Sequence, residues 1–365
     1  MRDNLRPQRV LMTADTVGGV WTYALELIGA LPEVRFALAT MGRQLSASQR
    51  EQIATHSNVV LFESEFRLEW MDDPWSDVDR AGDWLLGLEA KFQPDLVHLN
   101  GYAHAVLPWA APKLVVAHSC VISWWHAVKG GEPPDQFDEY RRRVSTGLAA
   151  ANLVVAPTQA MLKSLREDYA GEFTGRVIPN GRTHAQFSPA PKLSRIFAAG
   201  RVWDEAKNIS LLSEIAPRVS WPIDVAGEDR HPGGGSPRLA NVNLLGRLTQ
   251  PQLATRFGTA AIYAAPAKYE PFGLSILEAG LSACALVLGD IASLRELWAN
   301  AAVFVSPADA DGFIRAFDDL ISHAGRREEL GLRARERALH FTVERMAADY
   351  REAYATCREV VETPV

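Results

Sequence analysis

The sequence predicts an α/β protein made of two doubly wound domains, each with a parallel sheet covered by helices on both faces. The chain has 365 residues, the length of about two ordinary domains. Short apolar runs alternate with longer segments whose apolar residues recur at helical spacing. The short runs are continuously apolar, which is typical of parallel strands buried on both faces.

The first half of the chain contains six apolar runs that we predict to be strands. The first run is followed by a loop over Thr16–Gly19 and by a helical pattern that begins at Val20. The predicted strands are Arg9–Thr13, Phe36–Ala39, Val59–Phe62, Leu96–Leu99, Leu114–Ala117 and Leu153–Ala156.

The second half repeats this alternation, with a glycine-rich loop at 233–236 and one long helical pattern over 343–360 at its end. Its predicted strands are Ile196–Ala199, Ile223–Ala226, Val242–Leu245, Ala261–Ala264, Ala285–Leu288 and Ala302–Val305. Helical patterns cover residues 207–219, 249–257, 275–282 and 310–323.

The boundary between the domains is predicted from Pro179, Pro189 and Pro191, which stand among Ser, Thr and His residues as in an extended connection. Ligands of doubly wound sheets bind beyond the carboxyl ends of the strands, so we expect a cleft between the domains. The expected parts are an N-terminal domain at 1–182, a linker at 183–195, a C-terminal domain at 196–342 and a terminal helix at 343–365 that crosses back to the first domain.

Charge and cysteine usage exclude several classes of protein. The net charge of −6 argues against non-specific nucleic-acid binding, and it provides no general attraction to an anionic membrane, although a local patch can still give peripheral contact. The 3 cysteines lie far apart, which is typical of a reducing compartment. No apolar run has the length of a signal or membrane-spanning segment, so we expect a cytoplasmic protein without a transmembrane segment.

The most informative segment is Tyr269–Gly280, which reads Tyr-Glu-Pro-Phe-Gly-Leu-Ser-Ile-Leu-Glu-Ala-Gly. Glu270 follows a predicted strand, Gly273 permits a turn, and Ser275 is expected to cap a helix. Backbone amides of Phe272, Gly273, Leu274 and Ser275 would then bind phosphate or sugar oxygens. Glu278 lies one turn into that helix, where its carboxylate can accept hydrogen bonds from a ribose diol.

This segment resembles the Glu-x7-Glu motif of retaining glycosyltransferases of the GT-B fold, most closely glycosyltransferase family 4, with Glu270 and Glu278 as its two glutamates. The resemblance covers nearly the whole chain. It implies two facing Rossmann-like domains, a nucleotide-diphospho-sugar as donor, with UDP or GDP as its nucleotide, and no cofactor or metal. No Asp-x-Asp pair stands where such a metal would be wanted.

Two further segments of the second half fit the same resemblance. Gly-Arg-Val-Trp-Asp-Glu-Ala-Lys-Asn, at 200–208, resembles the family segment in which Arg201 and Lys207 would neutralise the donor diphosphate. Gly246, Arg247 and Leu248 resemble the turn whose backbone holds the nucleobase. The Pro-Asn-Gly at 179–181 resembles the family hinge, except that Arg-Thr replaces its Val-Asp.

In the first half, the family resemblance extends to residues that follow predicted strands. Gly18 and Gly19 match a turn whose backbone approaches the donor phosphate, and His118 matches a histidine that faces the donor sugar. His98 and Asn100 lie where the family often has His-x-His, so the asparagine is a departure. A histidine at the end of a strand is also common as a plain structural residue.

An acidic and aromatic segment at 63–84 holds eight acidic and two basic residues with three tryptophans, and Trp124 lies in the same half. Indoles stack on sugar faces and carboxylates accept hydrogen bonds from sugar hydroxyls, so this half can hold a carbohydrate or small-molecule acceptor. The alternative is a helix with buried tryptophans and a solvated acidic face.

The resulting hypothesis is a metal-independent transfer of a sugar, with retention, from a nucleotide-diphospho-sugar to an acceptor hydroxyl. Glu270 and His118 are the expected catalytic residues, and closure of the domains is expected to exclude water. His98, Asn100 and Trp124 are the candidate acceptor contacts. The alternatives are a sugar-nucleotide epimerase or a phosphorylase of the same fold, or a sugar-binding protein without catalysis. The sugar, the acceptor and the oligomeric state are not predicted.

Overall fold

The structure is a computed structural model that describes residues 8–169, 171–229 and 239–362. These residues form two compact units. Within the described residues, the first unit runs to His126, resumes over Gly131–Gly181 and ends with the segment that starts at Val343. The second unit comprises Ala127–Gly130 and Arg182–Thr342. The glycine-rich loop at 233–236 lies outside the described residues.

The first unit contains a seven-stranded parallel sheet in the order β3-β2-β1-β4-β5-β6-β7. The strands are β1 Arg9–Asp15, β2 Arg35–Met41, β3 Val59–Glu63, β4 Leu96–Leu99, β5 Lys113–Val116, β6 Leu153–Ala156 and β7 Gly175–Val177. Its helices are α1 Gly19–Ala30, α2 Ala47–Ala54, α3 Trp75–Phe92, α4 Val121–Val128, α5 Asp138–Ala150 and α6 Gln159–Asp168.

The second unit contains a six-stranded parallel sheet in the order β10-β9-β8-β11-β12-β13. The strands are β8 Leu193–Ala199, β9 Ile223–Ala226, β10 Asn243–Leu244, β11 Ala260–Ala265, β12 Ala285–Gly289 and β13 Val303–Val305. The helices are α7 Ile209–Ile215, α8 Gln250–Thr259, α9 Leu274–Leu281, α10 Ala292–Trp298, α11 Ala310–Ser322 and α12 Ala324–Ala338, and the last helix of the chain is α13 Val343–Glu362.

Burial explains why the apolar runs form strands. The central strands β1, β4, β6, β9 and β12 are buried along nearly all of their length, because helices cover both faces of each sheet. Helix α13 belongs to the core of the first unit, where Met346, Tyr350 and Tyr354 pack with α1 and the ends of the central strands. The sequence prediction of two doubly wound sheets is therefore confirmed.

Several element boundaries differ from the predictions. The helix expected over 207–219 is broken, because Asn208 adopts a left-handed conformation with φ 55° between a 3-10 turn at Glu205–Lys207 and α7. Strand β8 begins at Leu193, inside the expected linker, which also contains a 3-10 turn at His184–Gln186. The strand expected over Val242–Leu245 has only two residues. Strand β7 and helices α10 and α12 were not predicted.

Candidate functional site

Each sheet reverses its strand order once, and the predicted site residues follow the strands at these two reversals. In the first unit the reversal lies between β1 and β4, which are followed by Gly18 and by Asn100. In the second unit it lies between β8 and β11, which are followed by Arg201 and by Glu270. Because adjacent crossovers diverge at such a point, it leaves a crevice at the carboxyl edge of the sheet, where ligands of this architecture bind.

The loop after β11 brings the first motif glutamate against the cation of the β8 loop. The ammonium of Lys207 donates to a carboxylate oxygen of Glu270, and these side chains are 21% and 12% exposed. The hydroxyl of Ser293 donates to the carbonyl of Glu270 at 2.6 Å, which fixes the backbone of this loop. Glu270 therefore neutralises the cation that was predicted to meet a diphosphate.

The side chain of Asn208 holds the loops after β8 and β11 in a fixed position relative to each other. Its side-chain amide donates to the carbonyls of Pro266 and Pro307, each at 3.0 Å, and so joins the loops after β8, β11 and β13. Arg201, in the same loop, is partly exposed and donates to Asp204 at 2.8 Å. Its guanidinium carbon lies 5.3 Å from the centre of the Trp203 ring. Sequence reasoning quoted Asn208 without assigning it this role.

Helix α9 starts in a different way from the prediction. Its N-cap is Gly273, which has φ 86°, and the expected cap Ser275 makes no capping bond. The hydroxyl of Ser275 instead accepts from the phenol of Tyr263 at 2.9 Å. The reason is positional, because Ser275 already lies inside the first turn, where its side chain cannot reach the amides of that turn. Ile276 and Leu277 both donate their amides to the carbonyl of Gly273 at 3.0 Å. The amides that precede them have no acceptor in the helical pattern, so the end of α9 keeps its capacity to bind an anion.

Phe272 and Leu274 contribute to this loop mainly through their backbone. The ring of Phe272 is buried and packs edge-on against Phe341 at 5.7 Å, and Leu274 packs against the apolar core of the unit. The second motif glutamate, Glu278, is almost buried and accepts from Nε of Arg182 at 2.8 Å. Sequence reasoning did not assign Arg182 a role.

The expected nucleobase turn lies beside the β8 loop. The amide of Gly227 donates to the carbonyl of Gly246 at 2.9 Å, and Gly246 has φ 64°. A Cβ on Gly227 would lie 1.7 Å from the carbonyl oxygen of Gly200, so the ends of β8 and β9 approach closely only because this residue is glycine. Arg247 is exposed and Leu248 is partly buried.

In the first unit, the turn after β1 has the geometry expected of its glycines. Gly18 has φ 104° and ψ −149°, a conformation that residues with a Cβ rarely adopt, and it immediately precedes α1. Gly18 and Gly19 are both exposed. The first amides of α1 therefore lie at the carboxyl edge of the sheet, in the orientation that favours a phosphate.

His118 and Asn100 lie together after β5 and β4. The Nε2 atom of His118 is 2.8 Å from the side-chain oxygen of Asn100, whose amide nitrogen donates to the carbonyl of Thr13 at 2.6 Å. That second bond fixes the orientation of the amide, so Nε2 of His118 carries the proton. Desolvation by the surrounding protein lowers the pKa of His118 to about 3, although part of the ring is exposed. The imidazole is therefore neutral near pH 7, with Nδ1 as an acceptor.

His98 has a supporting position and does not face solvent. It is 0% exposed, and burial lowers its pKa to about 3. Its Nδ1 atom lies 2.8 Å from the hydroxyl of Tyr354, and its Nε2 atom lies 3.3 Å from both the side-chain oxygen of Asn100 and the hydroxyl of Tyr23. The expectation that His98 contacts an acceptor is therefore not retained, because an interior side chain holds its neighbours instead of meeting a solute. Tyr354 lies in the helical pattern predicted over 343–360, but that pattern gives no sign of its contact with His98.

The contacts made by the acidic and aromatic segment at 63–84 are mainly structural. Trp75 lies under the guanidinium of Arg143 at 4.8 Å, and Trp84 packs at 5.9 Å from Phe66. Glu69 accepts the amides that begin the short turn after β4, and burial raises its pKa. These contacts favour the structural alternative for the segment. Trp124, on α4 just after His118, is partly exposed.

The described part of the chain contains neither a cluster of metal ligands nor a membrane-spanning helix. Among these residues, no group of three or more His, Cys, Asp or Glu side chains is arranged to hold a metal ion. No helix within the described ranges combines the length and apolar character needed to cross a membrane.

Solved structures of similar architecture define the class of fold. Sucrose-phosphate synthase from Thermosynechococcus elongatus has a TM-score of 0.79 at 16% identity, over 97% of this chain and 99% of that one. Anabaena HepE, solved with UDP and glucose, has a TM-score of 0.73 at 13% identity, over 95% and 99%. WaaG, a glycosyltransferase involved in lipopolysaccharide biosynthesis, has a TM-score of 0.73 at 11% identity, over 94% and 99%. The fold is thus that of GT-B glycosyltransferases, with two Rossmann-like domains.

Family models identify the group more narrowly. A model described as "Glycosyltransferase Family 4" matches residues 17–186, and one described as "Glycosyl transferases group 1" matches residues 194–323. Together they span most of the chain, which therefore belongs to the glycosyltransferases of group 1 and family 4. No curated protein matches the sequence significantly.

Proposed function

We propose that this glycosyltransferase moves a sugar, with retention of anomeric configuration, from a nucleotide-diphospho-sugar to the hydroxyl of a carbohydrate or small-molecule acceptor. The single observation that carries the proposal is the Lys207–Glu270 pair at the reversal of the second sheet, beside the open end of α9. The loops after β8 and β11 thus present together a cation, a carboxylate and the first amides of a helix, which are the groups that a departing diphosphate and a developing positive charge at the anomeric carbon require.

In this proposal the diphosphate takes over Lys207 from Glu270 when the donor binds. Arg201, Lys207 and the amides at 272–275 stabilise the negative charge that forms on the diphosphate. The released carboxylate of Glu270 then stabilises positive charge on the sugar. The acceptor oxygen forms its bond to the anomeric carbon on the face that the diphosphate leaves, and the proton of the acceptor passes to a diphosphate oxygen.

The first unit contributes the remaining proposed residues. Gly18 and Gly19 open α1 toward a phosphate, and the neutral His118 offers Nδ1 as an acceptor for a sugar hydroxyl. Asn100 holds His118 in this tautomer. Trp124 is a candidate acceptor contact, and the turn at 246–248 is proposed to hold the nucleobase through its backbone.

We favour UDP over GDP as the first nucleotide to test. HepE has been solved with UDP-glucose, and a similar Escherichia coli protein has been solved with UDP-2-fluoro glucose. The experiment is a calorimetric screen of UDP- and GDP-sugars, followed by a search for acceptors with the donor that binds. Absence of binding to every nucleotide sugar would overturn the proposal.

Variants and product analysis separate this proposal from its rivals. Lys207→Ala should weaken donor binding about ten- to hundred-fold, because a charge-assisted bond to the diphosphate is lost. Lys163→Ala, which removes an exposed lysine on α6, is the matched control. Sugar transfer needs an acceptor, whereas an epimerase changes the donor alone, a phosphorylase needs inorganic phosphate and a binding protein converts nothing. The anomeric configuration of the product, read by NMR, tests retention.

A further inference from the structure

Arg182 is a buried arginine at the point where the chain enters the second unit. It follows the Pro-Asn-Gly at 179–181, and only 3% of the residue is exposed. Burial of a guanidinium is costly unless its charge is paired and its donors are satisfied. A buried arginine here therefore needs a specific partner.

That partner is the second motif glutamate. Nε of Arg182 lies 2.8 Å from Oε1 of Glu278, and the two side chains are 4% and 11% exposed. The guanidinium carbon also lies 5.0 Å from the centre of the Phe187 ring, a cation–π distance. Arg182 thus has an ionic and an aromatic constraint, and a change of its rotamer would lose both the bond to Glu278 and the contact with the ring.

The backbone of Arg182 is held as firmly as its side chain. Its amide donates to the carbonyl of Phe341 at 3.2 Å, and it forms an isolated parallel bridge with Thr342. These are the residues just before the chain leaves the second unit. Arg182 is therefore anchored at both ends, which is the arrangement needed to hold another side chain in one orientation.

We propose that Arg182 is a positioning residue for recognition of the nucleotide ribose. By pairing with Glu278 it holds this carboxylate in the orientation in which it accepts from the ribose hydroxyls. The inference rests on the proposed nucleotide-sugar function and names a residue that the resemblance does not supply, since the family motif has Val at this position. A buried ion pair contributes little net stability compared with apolar residues of similar size, so stability alone does not account for it.

The test compares how strongly the protein distinguishes ribonucleotides from deoxynucleotides. Calorimetry would measure affinities for UDP, 2′-deoxy-UDP and 3′-deoxy-UDP, or for the GDP series if the unmodified protein binds GDP. We expect the unmodified protein to prefer the ribonucleotide about ten-fold or more, because hydrogen bonds to a carboxylate are strong. Arg182→Met and Glu278→Gln should each reduce this preference to about three-fold or less, and the double variant should reduce it no further.

Two further variants keep the inference falsifiable. Arg182→Lys retains the charge and should restore part of the preference. Arg195→Met is the matched control, since it breaks another arginine–carboxylate pair of the same unit, Arg195 with Asp224 at 3.0 Å, and should leave the preference unchanged. Circular dichroism would verify that each variant folds.

The outcomes separate the two hypotheses. The inference would be overturned if the folded variants Arg182→Met and Arg182→Lys kept the full preference for the ribonucleotide. It would also be overturned if the unmodified protein bound 2′-deoxy-UDP and 3′-deoxy-UDP as tightly as UDP. A protein that binds neither UDP nor GDP would instead overturn the proposed function.

Discussion

Replacement of Glu270 by glutamine is expected to separate turnover from nucleotide binding. The change keeps the shape of the side chain but removes its negative charge. This charge neutralises Lys207, and both side chains are largely buried, at 12% and 21% exposed. A nucleoside diphosphate has to compete with Glu270 for the same ammonium, so loss of the carboxylate should not weaken its binding.

The size of the effect follows from the contact. Two unit charges about 4 Å apart attract by about 4 kcal/mol at an effective dielectric constant of about 20. Most of this attraction is replaced by the incoming diphosphate, so we expect nucleotide binding to be unchanged or up to about five-fold tighter. At the transition state the sugar loses an oriented carboxylate, a change that typically costs about 3–4 kcal/mol, or about 10²–10³-fold in kcat.

The assay combines isothermal calorimetry with UDP and steady-state transfer from the UDP-sugar that the unmodified protein accepts. Glu329→Gln is the matched control, because Glu329 is an exposed, ion-paired glutamate on α12 and should leave both quantities unchanged. The reasoning would be refuted if Glu270→Gln kept the full kcat, or if nucleotide affinity fell ten-fold or more together with kcat.

Three further predictions concern stability and pH. Tyr354→Phe removes the hydroxyl that lies 2.8 Å from Nδ1 of the buried His98. It should lower the free energy of unfolding, measured in urea, by about 1–3 kcal/mol and should also lower kcat. An unchanged free energy of unfolding would show that this bond does not support the site. Gly227→Ala would place a Cβ 1.7 Å from the carbonyl oxygen of Gly200, so it should lower the free energy of unfolding by more than about 3 kcal/mol. The control is Gly325→Ala, where a Cβ meets nothing within 4 Å, and it should leave the free energy of unfolding unchanged. Burial lowers the pKa of His98 from 6.5 to about 3, so the stability that it contributes above pH 6.5 is lost as the pH falls, by about 2 kcal/mol between pH 7 and pH 5. A His98→Gln variant with the same pH dependence in urea unfolding would contradict this assignment.

The sequence alone determined the architecture and the edges of the sheets at which the candidate site residues lie. Continuous apolar runs predict parallel strands because a strand that is buried on both faces has apolar side chains on both, so its sequence does not alternate with polar residues. Polar and glycine residues that follow those runs had to lie at the carboxyl edges of the sheets, and the resemblance to glycosyltransferase family 4 singled out Glu270 and Lys207 among them. Local spacing also placed Glu278 one turn into a helix.

Local patterns were least reliable where a side chain makes a distant contact. Helix α7 begins only after Asn208, whose left-handed backbone interrupts the expected pattern and whose amide bonds to two carbonyls from other loops. Ser275 is not the expected cap, because Gly273 takes the N-cap position. Propensity describes neighbours along the chain, and it does not record distant contacts such as those of Asn208.

Only the tertiary structure decided which residues hold the site residues in place. Arg182 pairs with Glu278 across 96 positions, and Tyr354 bonds to His98 across 256. No periodicity or motif records such pairs, because they depend on how separate helices and strands pack against one another. The sequence therefore named the candidate residues at the carboxyl edges of the sheets, whereas the packing determined their partners, their protonation and their orientation.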